Sequence, residues 1–300
     1  MDLLRLPLLV LIDVFKNMDF REKFLISLLS KRARNLLKLT SVSSDFYFDL
    51  SDKLRIHLGY YTEGYYPSVT AESDHFIGEE MMKMSFHTKG VILEEKSFRK
   101  QLLLTNHLLD TFRISTISVT FSKPTISASA FKFMQMINQR ELSIKSFYYE
   151  AGASPEFVSK ILDECTEVTD KVGIVAWFPY AYLYIPARPF KATKLRINGN
   201  FNWSNLESFL NCRYVSIQFW ENSTRTLQFY NSFFTKWMDS DARLQKLKGI
   251  LQKLEYNWIE MIRSDETQFF IENTRSSITI YTKQAYLERL KKIEQRALAR

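Results

Sequence analysis

The feature that most constrains this chain is a series of short apolar alternations centred on Ile117, Ile144, Ile174, Leu195 and Val215, separated by 27, 30, 21 and 20 residues. Ile117, Val119 and Phe121 put their side chains on one face of a strand, and Val172 with Ile174, Leu195 with Ile197, and Val215 with Ile217 repeat the pattern. Between the first three strands the apolar period lengthens to that of a helix. Phe131, Met134 and Ile137 share one face of Ala128–Asn138, and Ser154-Pro155 opens a second helix with Val158, Ile161, Leu162 and Cys165 inward. Parallel strands joined this closely need crossovers, which stack the strands side by side and leave helices outside. Tyr230, Phe233, Phe234 and Trp237 suggest a further helix, and Phe269–Ile271 with Ile278–Tyr281 a closing hairpin.

Only 8 Gly and 7 Pro occur in 300 residues, and 46% of the chain is hydrophobic, so long flexible linkers are not expected. Two cysteines, Cys165 and Cys212, make neither a disulfide scaffold nor a four-thiolate zinc site, and a reducing compartment, cytoplasmic or nuclear, is the expected location. The apolar run 6–12 contains Pro7 and is followed by Asp13, which argues against a secretory leader. With secretion rejected, the sequons at Asn202 and Asn222 are chance matches, and no apolar stretch is long enough to span a membrane. Net charge is +8, but residues 1–45 hold 8 basic and 5 acidic side chains and residues 283–300 hold 6 and 2, leaving 27 and 26 between them. The body is balanced, so nucleic acid is not the expected partner; a nucleic-acid binder would have to bring the two basic ends onto one face.

Motifs for catalysis or nucleotide binding are absent, and no cofactor or metal is expected. The four histidines, His57, His75, His87 and His107, fall at irregular spacings and read as ordinary, partly exposed side chains. Asp239-Ser240-Asp241 reads as a turn, although two carboxylates can share a divalent cation; an enzyme with an unrecognised site near Asp239 and Asp241 or in the stretch 46–110 is the competing class. The most unusual stretch, 177–190, holds six aromatics and three prolines between two strands. Its rings either cover the domain's own core or meet a partner, and Trp177, Tyr180, Tyr182 and Tyr184 are the candidate target-binding residues.

The first forty residues read as three short helices. Pro7 suits a first helical position, Asp19 and Glu22 have capping-box spacing, and Ser30 can cap the third helix. The first helix carries one apolar stripe of Leu11, Val14 and Met18 and a second of Leu8, Ile12 and Phe15, more than a small helix needs for its own core. Leu6-Pro7, Val10, Val14, Met18, the Asp19 turn and Leu29-Ser30-Lys31-Arg32 resemble the F-box, with wording close to the large nematode F-box family; Leu9 and Ala33 depart from its frequent residues. The resemblance implies a module that docks a Skp-type adaptor and, through it, a cullin, with Leu6, Pro7, Val10, Leu11, Val14, Met18 and Leu29 at the contact. Asn231-Ser232-Phe233-Phe234, Lys236-Trp237-Met238 and Leu244-Gln245-Lys246-Leu247 resemble the F-box-associated region that follows in that family, and an unknown target protein would bind there.

The strand spacings loosely match leucine-rich repeats of roughly 20–29 residues, and Leu195–Asn200 fits their L-x-L-x-x-N core. The expected fold is therefore α+β: an F-box-like three-helix module over 1–45, a connector with short β elements over 46–110, an irregular strand–helix, leucine-rich-repeat-like solenoid with a mainly parallel sheet over 111–282, and a basic helix over 283–300. The expected function is a non-enzymatic substrate receptor of a ubiquitin ligase.

Overall fold

The computed structural model describes residues 5–40, 44–59, 68–122, 127–150, 155–175, 183–198, 202–203, 211–218, 236, 246–250, 258–262, 268–274, 277–282, 287–288, 291 and 295. The chain divides into two compact units, 1–147 and 148–300.

The first unit opens with α1 (Leu8–Asn17), α2 (Phe20–Leu29) and α3 (Lys31–Thr40). Pro7 is the N-cap of α1, one position before the expected one. The capping box is present at α2: the Glu22 amide donates to Asp19 Oδ1 at 2.8 Å and the Asp19 amide donates to Glu22 Oε2 at 2.8 Å, satisfying two otherwise orphaned donors. Ser30 Oγ accepts from the Ala33 amide at 3.1 Å and starts α3.

Next come β1 (Ser44–Leu50), β2 (Leu54–Leu58), β3 (Ala71–Ile77), β4 (Glu80–His87), β5 (Gly90–Leu93), α4 (Phe98–Thr111), β6 (Ile114–Phe121), α5 (Ser127–Gln139) and β7 (Ile144–Glu150), within which the division between units falls. The strand order is β3-β4-β5-β2-β1-β6-β7. Phe46, Phe48 and Leu50 of β1 lie in register with Ile117, Val119 and Phe121 of β6, and all six are buried. The supposed connector is thus the middle of a sheet. The expected short strands around Lys89-Gly90 are β4 and β5, but β1, β2, β3 and the 14-residue α4 were not foreseen. Tyr60–Pro67 lie outside the described residues.

Helix α2 packs on this sheet and on α4 through rings. Phe20 stacks on Phe112 at 5.5 Å, and Phe24 meets Phe86 at 5.4 Å and His107 at 5.7 Å between ring centroids. Phe112 in turn meets Phe46 at 5.6 Å.

The second unit holds α6 (Pro155–Glu164), β8 (Lys171–Val175), β9 (Leu183–Tyr184), β10 (Lys194–Asn198), β11 (Asn202–Trp203), β12 (Tyr214–Gln218), β13 (Lys246–Ile250), β14 (Trp258–Ile262), β15 (Gln268–Thr274) and β16 (Ser277–Thr282). Pro155 is the first helical residue, as expected, and Val158, Ile161, Leu162 and Cys165 are buried. Strands β8, β10, β12 and β13 lie parallel and adjacent, aligning Val172, Leu195, Val215 and Leu247 in one row. The closing hairpin is β15–β16, and β16 pairs antiparallel with β13 while β14 pairs with β15.

The expectation of a mainly parallel sheet is corrected. Both units mix parallel and antiparallel pairs because tight connections return the chain beside itself. His87 pairs with Gly90 across a two-residue turn, and Ile77 pairs with Glu80 across another that uses Gly78 at φ +62°, a conformation costly for a residue with Cβ. Among the described residues a regular strand–helix repeat is not seen either. The described residues between β8 and β10 hold β9, paired with β11 in a separate ribbon. The proposed helix face of Tyr230, Phe233, Phe234 and Trp237 lies outside the described residues, and Leu287, Glu288, Lys291 and Gln295 in the basic tail are helical.

Candidate functional site

Helix α1 has a clear inner side. Leu11 and Phe15, four residues apart, bury with Leu37 of α3, and Leu6, Val14, Met18, Ile26 and Leu36 pack against that cluster. The module therefore fills its own core with one stripe. What remains outward is the first turn of α1: Pro7 is exposed, and Leu8, Leu9 and Val10 are 51%, 77% and 44% exposed. Leu29, at the end of α2, is 72% exposed. Leaving such side chains in water costs apolar hydration, and their contiguity makes this turn the candidate contact surface.

Residues 3–43 match the F-box domain. F-box domains bind Skp-type adaptors and thereby join cullin complexes. No curated protein and no solved structure matches the chain.

Against this F-box the expected contact residues separate into three groups. Pro7, Val10 and Leu29 are exposed, while Leu6, Val14 and Met18 are half-buried on the module's own cluster. Leu11 is 2% exposed, so its assignment to the adaptor contact is corrected: it holds α1 to α3. Phe15, of the second stripe, is buried beside it. The sequence reading placed Leu8 in that second stripe and treated Leu9 only as a departure, yet both are among the most open apolar side chains of the F-box. Their place in the turn directly after Pro7 was the available signal, because a helix start leaves consecutive residues pointing in several directions.

The histidines depart from expectation in burial. His57, His87 and His107 are buried; only His75 is partly exposed. His57 and His87 flank Gly90 in register on β2 and β4, and their rings meet at 4.4 Å over the space a side chain at Gly90 would fill. A Cβ there would lie 1.9 Å from the Ile56 carbonyl oxygen and 2.5 Å from His87 Cε1. Burial, with His87 and Arg55 adding to it, lowers the pKa of His57 to about 4, and burial lowers that of His87 as well. His107 Nε2 shares a 2.7 Å hydrogen bond with Ser27 Oγ, and burial plus the nearby Arg34 bring its pKa to about 4. These rings are neutral at pH 7. Among the described residues, no group of three His, Cys, Asp or Glu side chains is arranged to hold a metal. Asp239 and Asp241 lie outside the described residues.

In the aromatic stretch, Tyr184 and Phe190 are buried. Tyr184 donates its hydroxyl to Asp163 Oδ1 at 2.7 Å, and the Ala187 amide donates to the same oxygen at 3.3 Å. Tyr184 is thus a core residue tied to the end of α6, which corrects its assignment to a target surface. Trp177, Tyr180 and Tyr182 lie outside the described residues. Cys165 and Cys212 are buried free thiols, and burial pushes the Cys212 pKa up to about 12, so neither is a nucleophile at neutral pH.

Proposed function

We propose that this protein is a substrate-receptor subunit of a cullin–RING ubiquitin ligase. Its F-box holds a Skp-type adaptor, and the region over 111–282 holds a target protein in the manner of the nematode F-box-associated region. It supplies proximity and orientation, with transfer chemistry resident in other subunits, and acts in the cytoplasm or nucleus. The observation that carries this reading is the coincidence of the F-box match with an exposed apolar turn on a module whose own core is already filled.

The contact we propose centres on Pro7, Leu8, Leu9 and Val10, with Leu29 beside α3. Replacing Leu8, Leu9 and Val10 together with Asp should abolish co-purification with a purified Skp-type adaptor while leaving the melting temperature unchanged, because none of the three is buried. Undiminished adaptor binding by the folded variant would end this reading.

Target capture is proposed to involve Trp177, Tyr180 and Tyr182. Trp177→Ala and Tyr182→Ala chains, once a target is in hand, should lose roughly 1–4 kcal/mol of binding without loss of thermal stability. A loss of stability with no separate binding defect assigns these rings to the core instead.

A further inference from the structure

A cavity of about 320 Å³ opens in the first unit between the end of α2, the first turn of α3, the β3–β4 turn and one face of α4. Its size is within the range of specific ligand sites. Two kinds of surface meet in it. Leu28, Leu103 and Phe76 supply an apolar wall, and the Phe76 ring is 64% exposed. Lys31 and Arg34, three residues apart on α3 and therefore neighbours on one helix face, line it as well.

The charge balance of the cavity is one-sided. Its single carboxylate, Asp110, is already committed: Arg140 donates to Asp110 Oδ1 at 2.8 Å and to Asn106 Oδ1 at 2.8 Å. His107 at the cavity is neutral at pH 7 and bonded to Ser27. Lys31 and Arg34 have no acidic partner among the described residues. The cavity therefore presents two unneutralised cations beside an exposed ring.

The backbone around it indicates what kind of ligand can reach it. Strand β3 is the last of its sheet order and, among the described residues, pairs only with β4. Its terminal residues Phe76 and Ile77 line the cavity, so an extended segment can pair with this strand edge, open among the described residues, and insert a side chain.

We propose that this cavity is a docking site for an acidic peptide segment of a partner protein, in which an Asp or Glu carboxylate lies between Lys31 and Arg34 and an adjacent large apolar side chain packs on Phe76. The site is separate from the exposed first turn of α1 and does not rest on the adaptor reading.

Selection of a phage-displayed random heptapeptide library on the full chain tests it. Peptides with Asp or Glu next to Phe, Trp, Leu or Ile should be enriched. A synthetic copy of the enriched sequence should bind saturably in fluorescence anisotropy, with affinity falling as NaCl is added. A Lys31→Gln, Arg34→Gln chain and a separate Phe76→Ser chain should each bind it roughly tenfold more weakly. Phe76 is an exposed hairpin position, so the second variant keeps the test decisive if the first disturbs the fold; melting curves of both establish this. The chain carrying Asp at positions 8, 9 and 10 should bind the peptide normally, which separates this site from the first turn of α1. Absence of enrichment, enrichment of peptides without an acid, or equal binding by both folded variants would overturn the proposal.

Discussion

Asp49 and Arg55 face each other across β1 and β2, with Arg55 Nη1 3.1 Å from Asp49 Oδ2. Burial raises the pKa of Asp49, and the Arg55 charge together with hydrogen bonds from Arg55 and Ser122 only partly offsets it. Arg55→Met should therefore cost roughly 3–5 kcal/mol at neutral pH in urea unfolding, because it strands a buried carboxylate. Adding Asp49→Asn should recover part of that loss. The buried histidines act on pH dependence in a definite direction. His57 and His107 titrate at about 4 in the folded chain and near 6.5 when unfolded, so below pH 6.5 the unfolded chain takes up protons that the folded one does not. Their contribution is complete above pH 6.5 and is lost as pH falls toward 4. Urea melts over that window should show stability declining with a slope of up to roughly 1.4 kcal/mol per pH unit for each ring. His107→Gln, which keeps a donor for Ser27, should flatten the slope.

At the scale of elements, legibility followed how cleanly burial alternates. β6 was readable because Ile117, Val119 and Phe121 are buried between less buried neighbours. β1 was not, since its buried run includes Asp49, whose polar side chain breaks the alternation. Helix α4 was hidden for a related reason: Gln101, Thr105, His107 and Thr111 are all buried on its inner side. Thr105 and Thr111 satisfy their hydroxyls within the helix, on the carbonyls of Gln101 and His107, so polar residues stand where an apolar stripe was sought. Packing of α2 supplies a test. Phe24 is fully buried against Phe86 and His107, and Phe24→Ala should destabilise the first unit by roughly 3–5 kcal/mol in thermal or chemical melts.

For the whole molecule, the order of elements was partly readable and their pairing was not. Local patterns identify strands; the parallel partner of β1 is β6, with four strands and α4 between them in the chain, and no local pattern encodes that. The candidate site shows the same limit. The F-box helices were legible from caps and spacing, whereas which side of α1 faces outward depended on where Leu37 of α3 came to rest. A fragment of residues 1–45 should show little helical circular dichroism and no cooperative melt, since Phe20 and Phe24 would lose the rings they pack on.

The stack of Phe20 on Phe112 and Phe24 on Phe86 has a practical reach beyond stability. The F-box match covers residues 3–43. Here its second helix is wired into the body by rings that arrive from residues 86, 107 and 112, so grafting another F-box onto this chain, or this one onto another body, requires those rings to travel with it. Inheritance of the amino-terminal helices and of the sheet behind them is then a joint affair, and shuffling would be penalised at that seam.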